Sequence, residues 1–241
     1  MCIIVSKPAG IPLPSIETLR NCWERNPHGA GYAVAKGGAV HIRKGFMTWE
    51  SFAKIDFAEL TPYSCILHFR FATHGSTSPG NCHPFPVTGN LRSKNRTTDV
   101  AIAHNGIIHG IEITKPDYSD TMSYIEQSIA PYWKNCKKRG SYMYSMKASK
   151  RTLLDETNSK WAFLYPNGSI INVGRGIKEH GLWFSNNSFR GYTYRFADSP
   201  RMTYMHQSIE PAEPREMVNP DWIEWSRWYN SRPAISMADM Y

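Results

Sequence analysis

The chain has 241 residues, 41% hydrophobic and 20% charged, which suits one globular domain with an appendage and a sizeable core. Lys and Arg number 28 against 20 Asp and Glu, a net charge of +8. No apolar run approaches the ~18 residues of a membrane span, and Met1–Val5 is too short and uncharged for a signal peptide, so a cytoplasmic protein is expected.

The five cysteines (Cys2, Cys22, Cys65, Cys82, Cys136) are scattered, odd in number and without a C-x-x-C, which argues against a disulfide framework and a structural zinc site. The nine histidines show neither H-x-x-x-H nor H-E-x-x-H spacing, so no metal and no cofactor are expected. The charge is unevenly placed. Lys134–Arg151 holds seven basic residues and no acid, with a second cluster at Arg92, Lys94 and Arg96. Most such runs are solvated surface. A basic face also favours an anionic substrate or partner and allows weak nucleic-acid contact, although no nucleic-acid-binding motif accompanies it.

In chain order, Cys2–Ser6 reads as a short buried strand stopped by prolines. Cys2 is then either a small apolar strand residue or, once Met1 is removed, a thiol beside a free α-amine. A thiol of pKa roughly 8.5 and an amine of roughly 7.7–8.0 can exchange a proton near neutrality. Ser15–Arg25 has a helical stripe of Ile16, Leu19, Cys22 and Trp23. Tyr32–Ala35 and Ala39–Arg43 predict a hairpin around Gly37-Gly38, and Trp49–Leu60 a second amphipathic helix.

Ser64–Arg70 is a strand running into a long loop, Phe71–Pro84, rich in small and polar residues; between apolar strands such a loop points to function. Val100–Ala103 is a buried strand ending in His104-Asn105-Gly106, where Asn-Gly is equally a plain hairpin turn. Ser119-Asp120-Thr121 opens a helix to Tyr132, with Asp120 open to a simple capping role. Lys134–Asp155 predicts an exposed helix. Trp161–Tyr165 and Ser169–Val173 flank the turn Pro166-Asn167-Gly168, and Leu182–Ser185 is the last strand. Residues 1–190 form the predicted domain. Gly191–Tyr241 is a proline-rich appendage, not a separate domain, with Trp222, Trp225 and Trp228 near one helical face, folding back or docking into a partner.

An N-terminal Cys2, then Arg70-Phe71-Ala72-Thr73-His74-Gly75, His83-Pro84, His104-Asn105-Gly106 and Ser119-Asp120-Thr121 follow one another in an order that resembles the class II glutamine amidotransferase domain, a branch of the N-terminal nucleophile hydrolases. The resemblance covers about residues 2–190. It implies an α+β fold, a four-layer αββα sandwich of two mostly antiparallel sheets. It also implies site roles. Cys2 is the nucleophile with its own α-amine as base; the Asn105 side-chain amide and the Gly106 N–H form the oxyanion hole. Arg70 clamps the substrate α-carboxylate, Asp120 holds its ammonium, and Phe71, Thr73, His74 and Gly75 line the glutamine pocket.

This sequence departs from the pattern at Ile3, where the family usually has Gly and a side chain would crowd the site entrance. It also departs at His28, in a Gly-rich turn, and at Phe71, where some relatives have Trp. Leu91–Thr98 looks like a basic insertion, the segment from Gly106 to Asp120 looks short, and His83 is read as structural. The expected function is a glutamine amidohydrolase passing ammonia to an acceptor on a separate chain, since no acceptor domain or G-x-x-x-x-G-K-[ST] is seen. The partner contact is expected at the tryptophan stripe or the basic face. The alternatives are a stand-alone amidohydrolase of another γ-glutamyl or small amide, and a silent binding module of the same fold.

Overall fold

The computed structural model describes residues 2–72 and 76–191; they belong to one unit, Met1–Thr193. Its strands are β1 (Ile3–Lys7), β2 (Ala30–Lys36), β3 (Ala39–Phe46), β4 (Cys65–Phe69), β5 (Phe85–Pro86), β6 (Asn95–Thr98), β7 (Ala101–Asn105), β8 (Lys160–Leu164), β9 (Ile170–Val173), β10 (Ile177–Glu179) and β11 (Leu182–Phe184). Its helices are α1 (Ile16–Arg25), α2 (Trp49–Ala53), α3 (Asp120–Tyr124), α4 (Ala130–Lys138) and α5 (Lys147–Thr157). A π-helical turn, Ile125–Ile129, joins α3 to α4. The strands form two antiparallel sheets, ordered β10-β11-β1-β4-β2-β3-β6 and β5-β7-β8-β9.

Side-chain alternation explains why the sheets stack. One face of the larger sheet presents Ile4, Ala33, Ala35, Val40, Ile42 and Ile66, which pack against Ala101, Ala103, Ala162 and Leu164 of the smaller. The alanines let the two backbones approach closely. On the outer face of the larger sheet, Phe69 meets Trp23 of α1 and Phe52 of α2, with ring centroids 6.5 and 5.0 Å apart. The outer face of the smaller sheet carries Ile102, Trp161, Phe163 and Val173 beneath Met122, Ile125, Ile129, Trp133 and Leu153 of the second helical layer. The arrangement is the α+β, αββα sandwich that the family resemblance implies.

The strands and α1 fall close to their predicted places, and the β2–β3 turn uses Gly37 and Gly38 at φ +61° and +74°, where a side chain would be strained. Four predicted features change. Trp49–Leu60 is not one helix: α2 stops at Ala53, and Asp56 Oδ1 accepts the Ala58 N–H (2.9 Å) to begin a separate 3₁₀ turn, Ala58–Leu60. Lys134–Asp155 breaks after Lys138 at Gly140 (φ +64°). Met143 is fully buried within that break, its carbonyl accepting from Tyr165 Oη. That region is therefore partly core. The supposed insertion Leu91–Thr98 contains β6, which extends the larger sheet beyond β3. Finally, Ile3 is fully buried. It points to the opposite face from Cys2 and Ile4, so it supports the α1–α2 layer and does not crowd the site.

Candidate active site

The start of β1, the end of β4, the end of β7 and the start of α3 meet at one end of the stack. Because β1 and β4 are antiparallel with Ile3 opposite Phe69, Cys2 lies beside Arg70. The Cys2 sulfur accepts the Phe71 N–H (3.2 Å), and its thiol faces the Phe71 carbonyl (3.4 Å). Burial raises the thiol pKa above its ordinary value, outweighing the Phe71 bond and the nearby Arg70 guanidinium, which lower it. Cys2 therefore rests as a thiol, and a nucleophile in that state requires a base.

Arg70 follows β4 and is 3% exposed; its Nη1 donates to the Ser76 carbonyl (3.1 Å), while its backbone bonds to Gly29 and His28. Asn105 closes β7 and is not a hairpin residue: Gly106 leads through a loop to α3. Asn105 Nδ2 donates to Ser185 Oγ (2.8 Å), whereas its Oδ1 is buried with no hydrogen-bond partner among the described residues. The nitrogen, with a second hydrogen to give, is thus the end suited to meet a developing oxyanion. A Cβ on Gly106 would sit 2.0 Å from Ser159 Oγ, so only glycine fits.

Ser119, not Asp120, caps α3, accepting the Met122 N–H. Asp120 instead ties the loop after β7 to the helix: its Oδ2 accepts the Ile108 N–H (2.8 Å) and its Oδ1 the Thr121 N–H (2.7 Å). Its Oδ1 also accepts from Thr121 Oγ1 (3.3 Å), and the partly exposed carboxylate retains one lone pair on Oδ2. Phe71 is 39% exposed at the rim. Thr73, His74, Gly75 and the Trp222, Trp225 and Trp228 stripe lie outside the described residues. Among the described residues, no cluster of His, Cys, Asp and Glu could hold a metal.

Two residues escaped the sequence reading. The Ser185 hydroxyl accepts both the Asn105 amide and the Ile4 N–H (2.9 Å), and Asn186 Nδ2 donates to the Cys2 carbonyl (2.7 Å). The Ser185–Asn186 pair thus braces the nucleophile's strand and the Asn105 amide together. Its only sequence signal is a polar run, Ser185-Asn186-Asn187-Ser188, at the end of a buried strand. That run acquires meaning once β11 is known to pair with β1. Ser185→Ala should leave the buried Ile4 N–H without its partner, costing about 1–3 kcal/mol in urea unfolding. It should also lower kcat about 10- to 100-fold with a smaller change in KM, as the Asn105 amide loses its aim.

Behind the site lie three buried histidines. His68 packs against His83 with ring centroids 4.2 Å apart and tilted by 32°, and His83 lies 4.4 Å from Phe85 and 6.4 Å from His104. His68 Nε2 meets the His104 carbonyl (3.0 Å), and His104 Nδ1 pairs with Thr121 Oγ1 (2.7 Å). Burial depresses all three, His68 to about 3, His104 to about 4 and His83 well below its ordinary value. They are neutral packing groups, consistent with a structural His83. Above pH ~6.5 they carry no charge in either state; below it the unfolded chain takes up protons that the fold refuses. Stability should therefore fall from pH ~6.5 towards 4, each histidine contributing up to about 1.4 kcal/mol per pH unit. Urea midpoints at pH 7.5 and 5 would check this, and a flat profile would contradict it.

No family model matches the chain. It is 31% identical over 216 residues to a glutamine–fructose-6-phosphate aminotransferase (isomerizing) of Vibrio vulnificus, covering 81% of this chain and 33% of the relative. It is 34% identical over 104 residues to the enzyme of the same name from Corynebacterium diphtheriae, covering 42% of this chain and 15% of that one. The chain thus spans at most a third of these relatives' length. Among solved structures, a glutamine phosphoribosylpyrophosphate amidotransferase from B. subtilis, complexed with ADP and GMP, superposes with a TM-score of 0.38 at 19% identity, over 76% of this chain and 41% of that one. The chain carries a domain of the class II glutamine amidotransferase type, related by sequence to the glutamine–fructose-6-phosphate aminotransferases above. No described helix is long and apolar enough to cross a membrane.

Proposed function

We propose that the chain hydrolyses the side-chain amide of glutamine and releases ammonia for an acceptor domain or enzyme. The observation that carries this is the convergence of Cys2, Arg70 and Asn105 at one end of the sheet stack, with Ser185 bonding both the Cys2 strand and the Asn105 amide. Loss of Met1 frees the Cys2 α-amine, whose ordinary pKa of roughly 7.7–8.0 suits it to take the thiol proton.

The Cys2 sulfur then bonds the glutamine Cδ, and the carbonyl electrons move to oxygen, held by Asn105 Nδ2 and the Gly106 N–H. As the oxyanion collapses, the C–N bond breaks and the Cys2 ammonium returns its proton to the leaving nitrogen as ammonia. A γ-glutamyl thioester remains. Water, deprotonated by the same amine, attacks it, releasing glutamate and restoring the thiol. Arg70 holds the substrate α-carboxylate in a planar fork, and Asp120 turns its remaining Oδ2 lone pair to the substrate ammonium. Phe71, with Thr73, His74 and Gly75, lines the pocket. The acceptor engages the basic Lys134–Arg151 face or the tryptophan stripe.

The test is a glutamine-mimicking diazo-ketone followed by intact mass. One adduct on Cys2 of a chain lacking Met1, suppressed by excess glutamine, is the expected result. Retained Met1 or labelling elsewhere contradicts the proposal.

A further inference from the structure

His28 sits in the turn between α1 and β2 and touches three consecutive residues of the loop beyond β4. Its backbone N–H donates to the Arg70 carbonyl (2.9 Å). Its ring stacks on Phe71, centroids 4.9 Å apart at 27°. Its Nδ1 lies 2.9 Å from the Ala72 nitrogen and accepts that N–H, which assigns the ring proton to Nε2. The middle residue of those three, Phe71, is the one whose N–H reaches the Cys2 sulfur.

We propose that His28 is a positioning residue: by gripping Arg70, Phe71 and Ala72 it keeps the Phe71 N–H aimed at the Cys2 sulfur as the thiolate forms. The physical case is one of redundancy. Phe71 is 39% exposed and lies just beyond the strand. The His28 backbone N–H holds the Arg70 carbonyl on one side of Phe71, the imidazole acceptor holds the Ala72 N–H on the other, and the ring stack holds the Phe71 side chain between them. Of the two Cys2–Phe71 contacts, only the N–H can stabilise a negative sulfur; the carbonyl partners the thiol. Holding that plane favours the reactive form. The contribution comes from the imidazole acceptor, because a side chain lacking one leaves the Ala72 N–H unheld.

The proposal rests on Cys2 being the nucleophile of the function above, but its test does not require turnover. In the full chain, Cys22, Cys65, Cys82 and Cys136 are buried, so iodoacetamide reads Cys2. The rate of Cys2 alkylation is followed against pH by the mass of the N-terminal peptide, for wild type and three variants. His28→Phe keeps an aromatic ring without the acceptor. It should raise the pH midpoint by about one unit and slow alkylation at neutral pH about tenfold. His28→Ala should shift it at least as far. His28→Asn, whose Oδ1 takes the place of Nδ1, should keep the midpoint within about a third of a unit.

Wild-type midpoints in the Phe and Ala variants overturn the proposal. So does an Asn variant that shifts as the Phe variant does, or a shift that tracks melting temperature across the three variants instead of the acceptor. If the midpoints behave as expected while wild type releases no glutamate from glutamine, the functional proposal fails and the His28 assignment stands.

Discussion

Cys2→Ala should abolish glutamate release from glutamine, a loss on the order of 10⁴-fold or more, because no other group takes over the covalent step. Cys2→Ser should do nearly as much. Its hydroxyl is far less acidic than a thiol, and the α-amine can no longer deprotonate it near neutral pH. Neither change should move the unfolding free energy in urea by more than about 0.5 kcal/mol, since the Cys2 side chain bonds only Phe71 among the described residues. Loss of activity with an unchanged midpoint separates a chemical role from the apolar strand role that the sequence leaves open. Residual turnover in Cys2→Ala would place the nucleophile elsewhere.

Asn105→Ala should lower kcat about 10²- to 10³-fold with little effect on KM, the expected signature of a donor used only when negative charge develops. A stability cost follows as well, because Ser185 Oγ loses the Nδ2 contact. Asn105→Asp is the sharper test. It keeps the size of the side chain but replaces the donor with a carboxylate, which repels an oxyanion, so its kcat should fall at least as far as that of Asn105→Ala. Gly106→Ala should be worse folded than either: its new methyl would meet Ser159 Oγ at 2.0 Å and force β7 or β8 to shift. A wild-type kcat in Asn105→Ala would remove the side-chain amide from the mechanism.

Much of the scaffold was legible because its signals are local. Alternation and turn chemistry located β1, β2, β3, β4, β7, β8, β9 and β11 to within a few residues, and the Ser15 cap and apolar stripe located α1. The misreadings share one cause. Trp49–Leu60 and Lys134–Asp155 have helical composition throughout, yet the Asp56 side chain and the burial of Met143 interrupt them. Neither interruption follows from helix propensity. Ile3 was placed at the site entrance because its orientation depends on which face of β1 meets the second sheet. Asp120 reads equally as a cap from its place before a helix; Ser119 takes that place, and the Asp120 bond to the Ile108 N–H crosses a loop that no local pattern shows.

Residue types alone establish the chemistry available: a thiol able to gain its own amine base, a planar cation and a side-chain amide, carried on strands that alternation predicts. Tertiary structure decided which groups meet. Cys2 reaches Phe71 because β1 and β4 are antiparallel neighbours, and the Asn105 amide is braced because β11 pairs on the other side of β1 and brings Ser185 to it. Sheet order is a long-range property, set by burial of whole faces. No window of sequence therefore contains the contacts that turn Cys2 from a strand residue into a candidate nucleophile.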